Sequence, residues 1–97
     1  MRIAIFGLGY VGTVTAAGLA SQGHQVCGVD VDAVKVDLIR SGRSPVVEPG
    51  IDELIAAAVE RGDLSATTDP VVALDRADVS LLRRWVRPGE RPGHVSR

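Results

Sequence analysis

The chain has 97 residues, 45% of them hydrophobic, and a formal net charge of −1 at pH 7, which limits it to one small globular domain. Its single cysteine, Cys27, excludes an internal disulfide and lies in an apolar segment, where a buried and unreactive thiol is expected. Residues 3–25 carry no acidic or basic side chain apart from His24, but their glycines and threonines are unlike a signal peptide or a membrane span. We therefore expect a cytoplasmic protein without a membrane segment.

Strand-like and helix-like segments alternate along the first 82 residues, which is typical of a parallel sheet covered by helices. The first strand is almost continuously apolar, as expected of a central strand that is buried on both faces. Strands are predicted at residues 2–6, 25–29, 64–67 and 79–82, and helices at 11–21, 33 to near 42, 51–61 and 71–76.

Local signals define the second helix and the connection that follows it. Asp32 is the predicted N-cap, and Val34, Leu38 and Ile39 are predicted to form one apolar face. Residues 44–50, Ser-Pro-Val-Val-Glu-Pro-Gly, form a rigid extended connection because each proline restricts itself and the residue before it. A half-sheet of this kind would expose the edge of its first or fourth strand, so we expect poor solubility.

A glycine-rich turn joins the first strand to the first helix. Gly7, Gly9 and Gly12 have the G-x-G-x-x-G spacing of a dinucleotide-binding turn. Gly7 allows the tight turn, Gly9 lets the backbone approach a pyrophosphate, and Gly12 lets the helix pack near the strand. The helix, beginning near residue 10 or 11, directs free N–H groups and its positive dipole end at the phosphates.

Asp30 follows the second strand, where a carboxylate would accept hydrogen bonds from the adenosine ribose. It would also repel a 2′-phosphate, and Val31 supplies no arginine to receive one, so NAD is favoured over NADP. These features predict an α/β protein, the N-terminal part of a Rossmann-type doubly wound parallel sheet that is truncated in the fourth strand. No metal site and no catalytic residue are predicted.

Residues 83–97 break the pattern. Residues 1–82 have a net charge of −5, whereas residues 83–97 carry five arginines and one glutamate, a net charge of +4. The second segment has no helical or alternating apolar period, and its composition is typical of disorder. We therefore divide the chain into a partial NAD-binding domain, 1–82, and a disordered tail, 83–97. A tail that binds nucleic acid through phosphate contacts is the alternative interpretation, which we do not favour.

Five motifs along residues 1–82 form a recognisable series. They are Phe-Gly-Leu-Gly-Tyr-Val-Gly (6–12), Gly-Val-Asp-Val-Asp (28–32), Lys-Val-Asp-Leu-Ile (35–39), Ser-Pro-Val-Val-Glu-Pro-Gly (44–50) and Thr-Thr-Asp (67–69). In this order they resemble the N-terminal domain of the nucleotide-sugar 6-dehydrogenases, the UDP-glucose and GDP-mannose dehydrogenases. Motifs 6–12 and 44–50 are more similar to the GDP-mannose enzymes, because the UDP-glucose enzymes more often have an aromatic residue in the second of them.

The resemblance implies an enzyme of polysaccharide biosynthesis that oxidises the C6 alcohol of a sugar nucleotide to a carboxylate in two NAD-dependent steps. In this family a cysteine nucleophile holds the intermediates, and the full-length form is expected to be a homo-oligomer. Tyr10 and Val11 would contact the cofactor, and Asp30 and Lys35 would bind its adenosine end. For Lys35, an exposed pairing with Asp32 is an equal alternative.

Glu48 has two interpretations of the same kind. It shapes the connection near the active site, or it is merely a capping or exposed residue. Neither is favoured by the sequence.

The chain departs from the family after Leu82. A Val-Gly-Thr-Pro turn, the sugar-nucleotide domain and the catalytic cysteine are missing, and Cys27 lies on the wrong strand to replace that cysteine. Residues 84–89 can be encoded so that a shifted frame reads Ser-Val-Gly-Thr-Pro-Gly, so we interpret the segment from Arg83 onward as a frameshifted tail. The chain alone is then a non-catalytic product with at most weak NAD binding.

Overall fold

The computed structural model describes residues 1–82 as a parallel sheet with helices on both faces. In chain order the elements are β1 (Arg2–Phe6), α1 (Tyr10–Ser21), β2 (Gln25–Val29), α2 (Ala33–Arg40), α3 (Ile51–Arg61), β3 (Leu64–Thr67), α4 (Pro70–Arg76) and β4 (Val79–Leu82). The predicted α/β fold of the Rossmann type is confirmed. The predicted tail, 83–97, and its interpretation as frameshifted lie outside the described residues. Among the helices within 1–82, none is long and apolar enough to cross a bilayer.

The four strands are arranged in the order β3-β2-β1-β4, and all neighbours are parallel. β1 is therefore a central strand. The sequence predicted that either the first or the fourth strand would lie at an exposed edge, and in the described sheet β4 lies at an edge. The alternative that the first strand lies at the edge is wrong, because β1 pairs with both β2 and β4. The chain moves outward from β1 to β3 and then returns to the other side of β1. Ligands of open parallel sheets bind at the carboxyl ends of the strands beside such a reversal.

Alternation along the strands divides the apolar side chains between two faces. Ile3 and Ile5 of β1 belong to the larger cluster, which α1, α2 and α3 cover, whereas Ala4 belongs to a smaller cluster under α4. The alanines of α1 bring that helix close to α3. The larger cluster comprises Ile3, Ile5, Leu8, Ala16, Ala17, Ala20, Val26, Val36, Ile39, Ile51, Ile55, Ala58, Leu64 and Ala66.

The predicted apolar face of α2 is partly wrong. Val34 is 67% exposed, while Val36 and Ile39 are buried and contribute to the larger cluster. Val36 and Ile39 are three positions apart and so lie on the same side of the helix, which packs against the core. Val34 lies on the opposite side of the helix. The predicted N-cap is present, since the Asp32 carboxylate accepts a hydrogen bond from Val34 N–H at 2.9 Å.

Two arginines connect elements that are distant in sequence. The Arg61 guanidinium donates to the Ala20 carbonyl at 3.1 Å and so joins the end of α3 to the end of α1. Arg40 Nε donates to the Ala66 carbonyl at 2.9 Å. The carbonyls of Asp63 and Thr67 face β2, because they accept hydrogen bonds from the N–H groups of Val26 and Asp30. Successive carbonyls of a strand point to opposite sides, so the Ala66 carbonyl faces the outer edge of β3. Arg40 covers that edge.

Candidate cofactor-binding site

The glycine turn follows β1 at the carboxyl edge of the sheet, beside the point where the strand order reverses. Gly7 has a φ of 97°, a conformation that favours glycine. Its N–H donates to the Val29 carbonyl at 2.7 Å, which joins the turn to the end of β2. Gly12 is buried within α1. The structure therefore brings the end of β1, the end of β2 and the start of α1 together.

Gly9 is different because the fold does not require a glycine there. It is the N-cap of α1 with φ −75° and ψ −163°, an extended conformation that any residue adopts. Apart from its two neighbours in the chain, a Cβ at this position would have no atom of the protein within 4 Å. Gly9 also provides no side-chain cap. Within residues 1–82 the N–H groups of residues 10–12 donate to no acceptor of the protein, as is usual for the first turn of a helix.

Leu8, between the two glycines, is fixed from three directions. Its N–H donates to Asp30 Oδ2 at 2.7 Å, and its carbonyl accepts from Thr13 Oγ1 at 3.1 Å. Its side chain is 1% exposed and packs over Gly28, where a Cβ would lie 2.7 Å from Leu8 Cδ2. Sequence reasoning missed Leu8, Thr13 and Gly28 as supports of the turn. The one available signal was a glycine inside a β-strand, which often marks a close approach.

Asp30 links the second strand to the glycine turn. In addition to the Leu8 N–H, its carboxylate accepts the Asp32 N–H at 2.9 Å through Oδ1. Partial burial by itself would raise the pKa of Asp30, but the hydrogen bonds from the Leu8 and Asp32 N–H groups and the charge of Lys35 together hold that pKa below its usual value. A carboxylate keeps further lone pairs, so Asp30 can still accept hydrogen bonds from a ligand.

Lys35 is half-buried on α2, and within residues 1–82 it forms no ion pair within 4.0 Å with either Asp30 or Asp32. Its ammonium group contributes to the lowered pKa of Asp30. The ion pairs within 4.0 Å in residues 1–82 are Arg2–Asp78 and Arg61–Asp63, so the exposed pairing of Lys35 with Asp32 is absent from this part of the chain.

Tyr10 and Val11 occupy the first turn of α1, with exposed fractions of 52% and 54%. The Tyr10 hydroxyl donates to Glu48 Oε1 at 2.6 Å. That hydrogen bond, together with the negative charge of Glu48, raises the pKa of Tyr10. Glu48 is therefore not merely exposed: its side chain joins the 44–50 connection to the start of α1.

Cys27 lies away from the glycine turn. It is half-buried rather than fully buried, and it lines a groove of about 240 Å³ with Arg2, Gln25 and Arg76 on the α4 side of the sheet. None of the predicted cofactor residues lines this groove. The predicted cofactor site is instead an open surface at the N-terminus of a helix.

Comparisons with known proteins agree with this geometry. Residues 1–83 match the UDP-glucose/GDP-mannose dehydrogenase family, NAD binding domain. The GDP-mannose 6-dehydrogenase of Pseudomonas aeruginosa is 52% identical over 82 residues, which cover 84% of this chain and 19% of that protein. The UDP-glucose 6-dehydrogenase YwqF of Bacillus subtilis is 38% identical over 96 residues, 99% of this chain and 22% of that protein.

Solved structures give the same result. The GDP-mannose dehydrogenase of Pseudomonas aeruginosa superposes with a TM-score of 0.86 and 49% identity, over 90% of this chain and 20% of that one. The UDP-glucose dehydrogenase of Pyrobaculum islandicum superposes with a TM-score of 0.81 and 34% identity, over 91% of this chain and 21% of that one. The chain thus spans about one fifth of the length of these relatives.

The sheet topology, the glycine turn and the match to the family's NAD-binding domain together define a Rossmann-type NAD-binding domain. The free N–H groups at the start of α1 and the open space beside Gly9 fit such a dinucleotide. The chain belongs to the UDP-glucose/GDP-mannose dehydrogenase family, of which it carries the N-terminal NAD-binding domain.

Proposed function

We propose that residues 7–12 hold the pyrophosphate of NAD and that Asp30 and Lys35 hold its adenosine end. Gly7 and Gly12 shape the turn, and the N–H groups at Tyr10, Val11 and Gly12 donate to phosphate oxygens, supported by the positive end of the α1 dipole. Asp30 accepts hydrogen bonds from ribose hydroxyls while it retains the Leu8 N–H. When bound, NAD supplies the acceptor for a hydride; the chain itself binds and orients it.

The surroundings of Gly9 are the observation that supports this proposal most directly. Gly9 has an ordinary backbone conformation and no neighbour within 4 Å of its Cβ position, so neither backbone strain nor packing against the rest of the protein requires a glycine there. A ligand that approaches the backbone there supplies the reason, because a methyl group would stand between the phosphates and the N–H groups.

The test compares two alanine substitutions, at Gly9 and Gly18, whose new methyl groups meet no steric obstacle in the fold. Gly18 lies in the middle of α1, and a Cβ there also meets nothing within 4 Å. We expect Gly9→Ala to cost about 0.5–1 kcal/mol of the free energy of unfolding, because alanine is a poorer N-cap than glycine, to remain folded, and to lose NAD binding in calorimetric titration. Gly18→Ala should bind NAD normally and gain about 0.5–1 kcal/mol from helix propensity. Unchanged NAD affinity in Gly9→Ala would refute the proposed cradle.

For the complete reaction, we propose the two-step oxidation of the C6 alcohol of GDP-mannose. Supporting this, six GDP-mannose 6-dehydrogenases are 50–52% identical to the chain, whereas the Bacillus subtilis UDP-glucose 6-dehydrogenase is 38% identical. UDP-glucose is the second candidate substrate, supported by the alignment with that enzyme, which extends over 96 residues.

The 97-residue chain by itself is proposed to bind NAD without oxidising a sugar. Cys27 is its single cysteine, and it lies on β2 in a groove that none of the proposed cofactor residues lines. A nucleophile must reach the reacting carbon beside the cofactor, which this position does not allow. Absence of NADH formation with GDP-mannose or UDP-glucose, in a preparation that binds NAD, is the expected result.

A further inference from the structure

The hydrogen bond between Tyr10 and Glu48 connects the proposed cofactor site to a separate segment. Tyr10 is the first residue of α1 and lies next to Gly9, beside which the space is open. Glu48 belongs to residues 44–50, which precede α3. The 2.6 Å distance is short, as expected when a hydroxyl donates to a charged carboxylate.

The remaining hydrogen bonds of residues 44–50 hold the segment to itself and to α3. Ser44 N–H donates to Asp52 Oδ1 at 2.7 Å, and Ile51 N–H donates to the Glu48 carbonyl at 3.1 Å. Ser44 Oγ forms a local turn with Val46. The Glu48 side chain is thus fixed at its base by α3 and presents its carboxylate to Tyr10.

The two helices are joined by hydrogen bonds at both ends. Tyr10 to Glu48 joins the start of α1 to the segment that enters α3, and Arg61 to the Ala20 carbonyl joins the opposite ends. Between these links the alanines of α1 pack in one cluster with Ile55 and Ala58 of α3. The ends differ in one respect, since only the first link involves a residue of the proposed cofactor site.

We propose that Glu48 is a positioning residue for the cofactor, which acts by holding the Tyr10 ring away from the glycine turn. Released from Glu48, the ring of Tyr10 can rotate over the open space beside Gly9. In that position it blocks the approach of the pyrophosphate to the N–H groups of α1. The hydrogen bond keeps most molecules in the arrangement that can bind NAD. When the hydrogen bond is lost, the fraction of molecules in that arrangement falls, and the apparent affinity for NAD falls by the same factor. This inference rests on the proposed NAD site.

A double-mutant cycle on NAD affinity in the full 97-residue chain tests the proposal. Tyr10→Phe and Glu48→Ala are each expected to weaken NAD binding by about three- to tenfold. Because both remove the same hydrogen bond, the double variant should be no weaker than either single variant. Independent effects that multiply in the double variant would overturn the proposal.

Two further variants separate the hydrogen bond from other effects. Glu48→Gln retains an acceptor oxygen without the charge, so it should keep near-wild-type affinity. If Glu48 acted through its negative charge alone, both Glu48→Gln and Glu48→Ala would bind NAD more tightly than the wild type, which would contradict the proposal. Arg61→Met removes the opposite link between the helices, and it should lower thermal stability without changing the affinity for NAD.

The single tyrosine of the chain allows a measurement in the absence of NAD. With ¹³C-labelled tyrosine, the Tyr10 ring should give different signals in the wild type and in Glu48→Ala at neutral pH. Identical signals would show that the link is absent in solution and would overturn the inference. A wild type that binds no NAD would overturn the proposed site and this inference together, whereas NAD binding that is insensitive to Tyr10→Phe and Glu48→Ala would overturn the inference alone.

Discussion

Leu8 illustrates how a single residue determines the shape of the glycine turn. Its N–H, carbonyl and side chain are each held by a different part of the chain, namely Asp30, Thr13 and Gly28. The glycine spacing allowed the turn to be predicted, because φ preferences are local. The partners of Leu8 could not be predicted in the same way, since they depend on how β2 lies against β1.

Gly28 provides a direct test of this packing. In Gly28→Ala the new methyl would lie 2.7 Å from Leu8 Cδ2, and Leu8 is 1% exposed and has little room to move. We expect a loss of about 1–3 kcal/mol in the free energy of unfolding, measured by urea denaturation. Adding Leu8→Ala should make the Gly28→Ala substitution nearly neutral by comparison with Leu8→Ala alone. Equal costs of Gly28→Ala in both backgrounds would contradict the contact.

Asp30 should affect stability in a pH-dependent way even without a ligand. Its folded pKa lies below the ordinary value of 3.8, so its contribution is complete above that value and is lost as the pH falls through the lower folded pKa. An asparagine at this position has one acceptor oxygen and cannot accept both N–H groups as the carboxylate does. We therefore expect Asp30→Asn to cost about 1–2 kcal/mol at pH 7.

The difference between the wild type and Asp30→Asn should therefore shrink below pH 4 in urea denaturation. Asp37 is an appropriate control, because it is exposed on α2 and its carboxylate accepts no hydrogen bond within residues 1–82. Asp37→Asn should leave the pH profile of the wild type intact. A constant difference between wild type and Asp30→Asn from pH 7 to pH 3 would argue against the assigned hydrogen bonds.

Among the helices and strands, sequence periodicity predicted most boundaries. All four strands begin and end as predicted, and α1 and α4 each begin one residue earlier. The prediction was wrong for Val34 because the short helix carries apolar residues on two nearly opposite sides, and packing against β3 and α3 buries the side with Val36 and Ile39. The links made by Arg40, Arg61 and Glu48 could not be predicted, since each joins residues that only the topology brings together.

The two edge strands of the described sheet differ in their protection. Arg40 covers the outer edge of β3, whereas β4 pairs only with β1 within residues 1–82. Val79 and Leu81 of β4 are 38% and 39% exposed. An uncovered apolar edge favours pairing with another chain.

Self-association through this edge is therefore expected for the purified chain. Leu81→Lys should reduce it, because a charged side chain on an edge strand opposes pairing. Sedimentation velocity over a range of protein concentrations measures the effect, and Val47→Lys, at a loop residue that is 97% exposed, is the control. Equal association of wild type and Leu81→Lys would exclude β4 as the contact.

At the scale of the whole molecule, the two faces of the sheet are unequal within residues 1–82. The α1–α2–α3 face has fourteen buried residues in one cluster, whereas the cluster on the α4 side has three, namely Ala4, Val29 and Ala73 of α4 itself. Local opening is least costly where few apolar contacts are broken. The α4 and β4 region should therefore open first, while the glycine turn belongs to the better-packed face.

The three contacts of Leu8 also bear on how quickly a cofactor is captured. A turn that is already held by Asp30 and Thr13 at the Leu8 backbone and by Gly28 at the Leu8 side chain has little conformational freedom to lose on association. Encounter then needs no slow ordering step, and the observed rate should rise linearly with NAD concentration without reaching a plateau. Differences in residence time, rather than in the speed of capture, would then distinguish NAD from its close analogues.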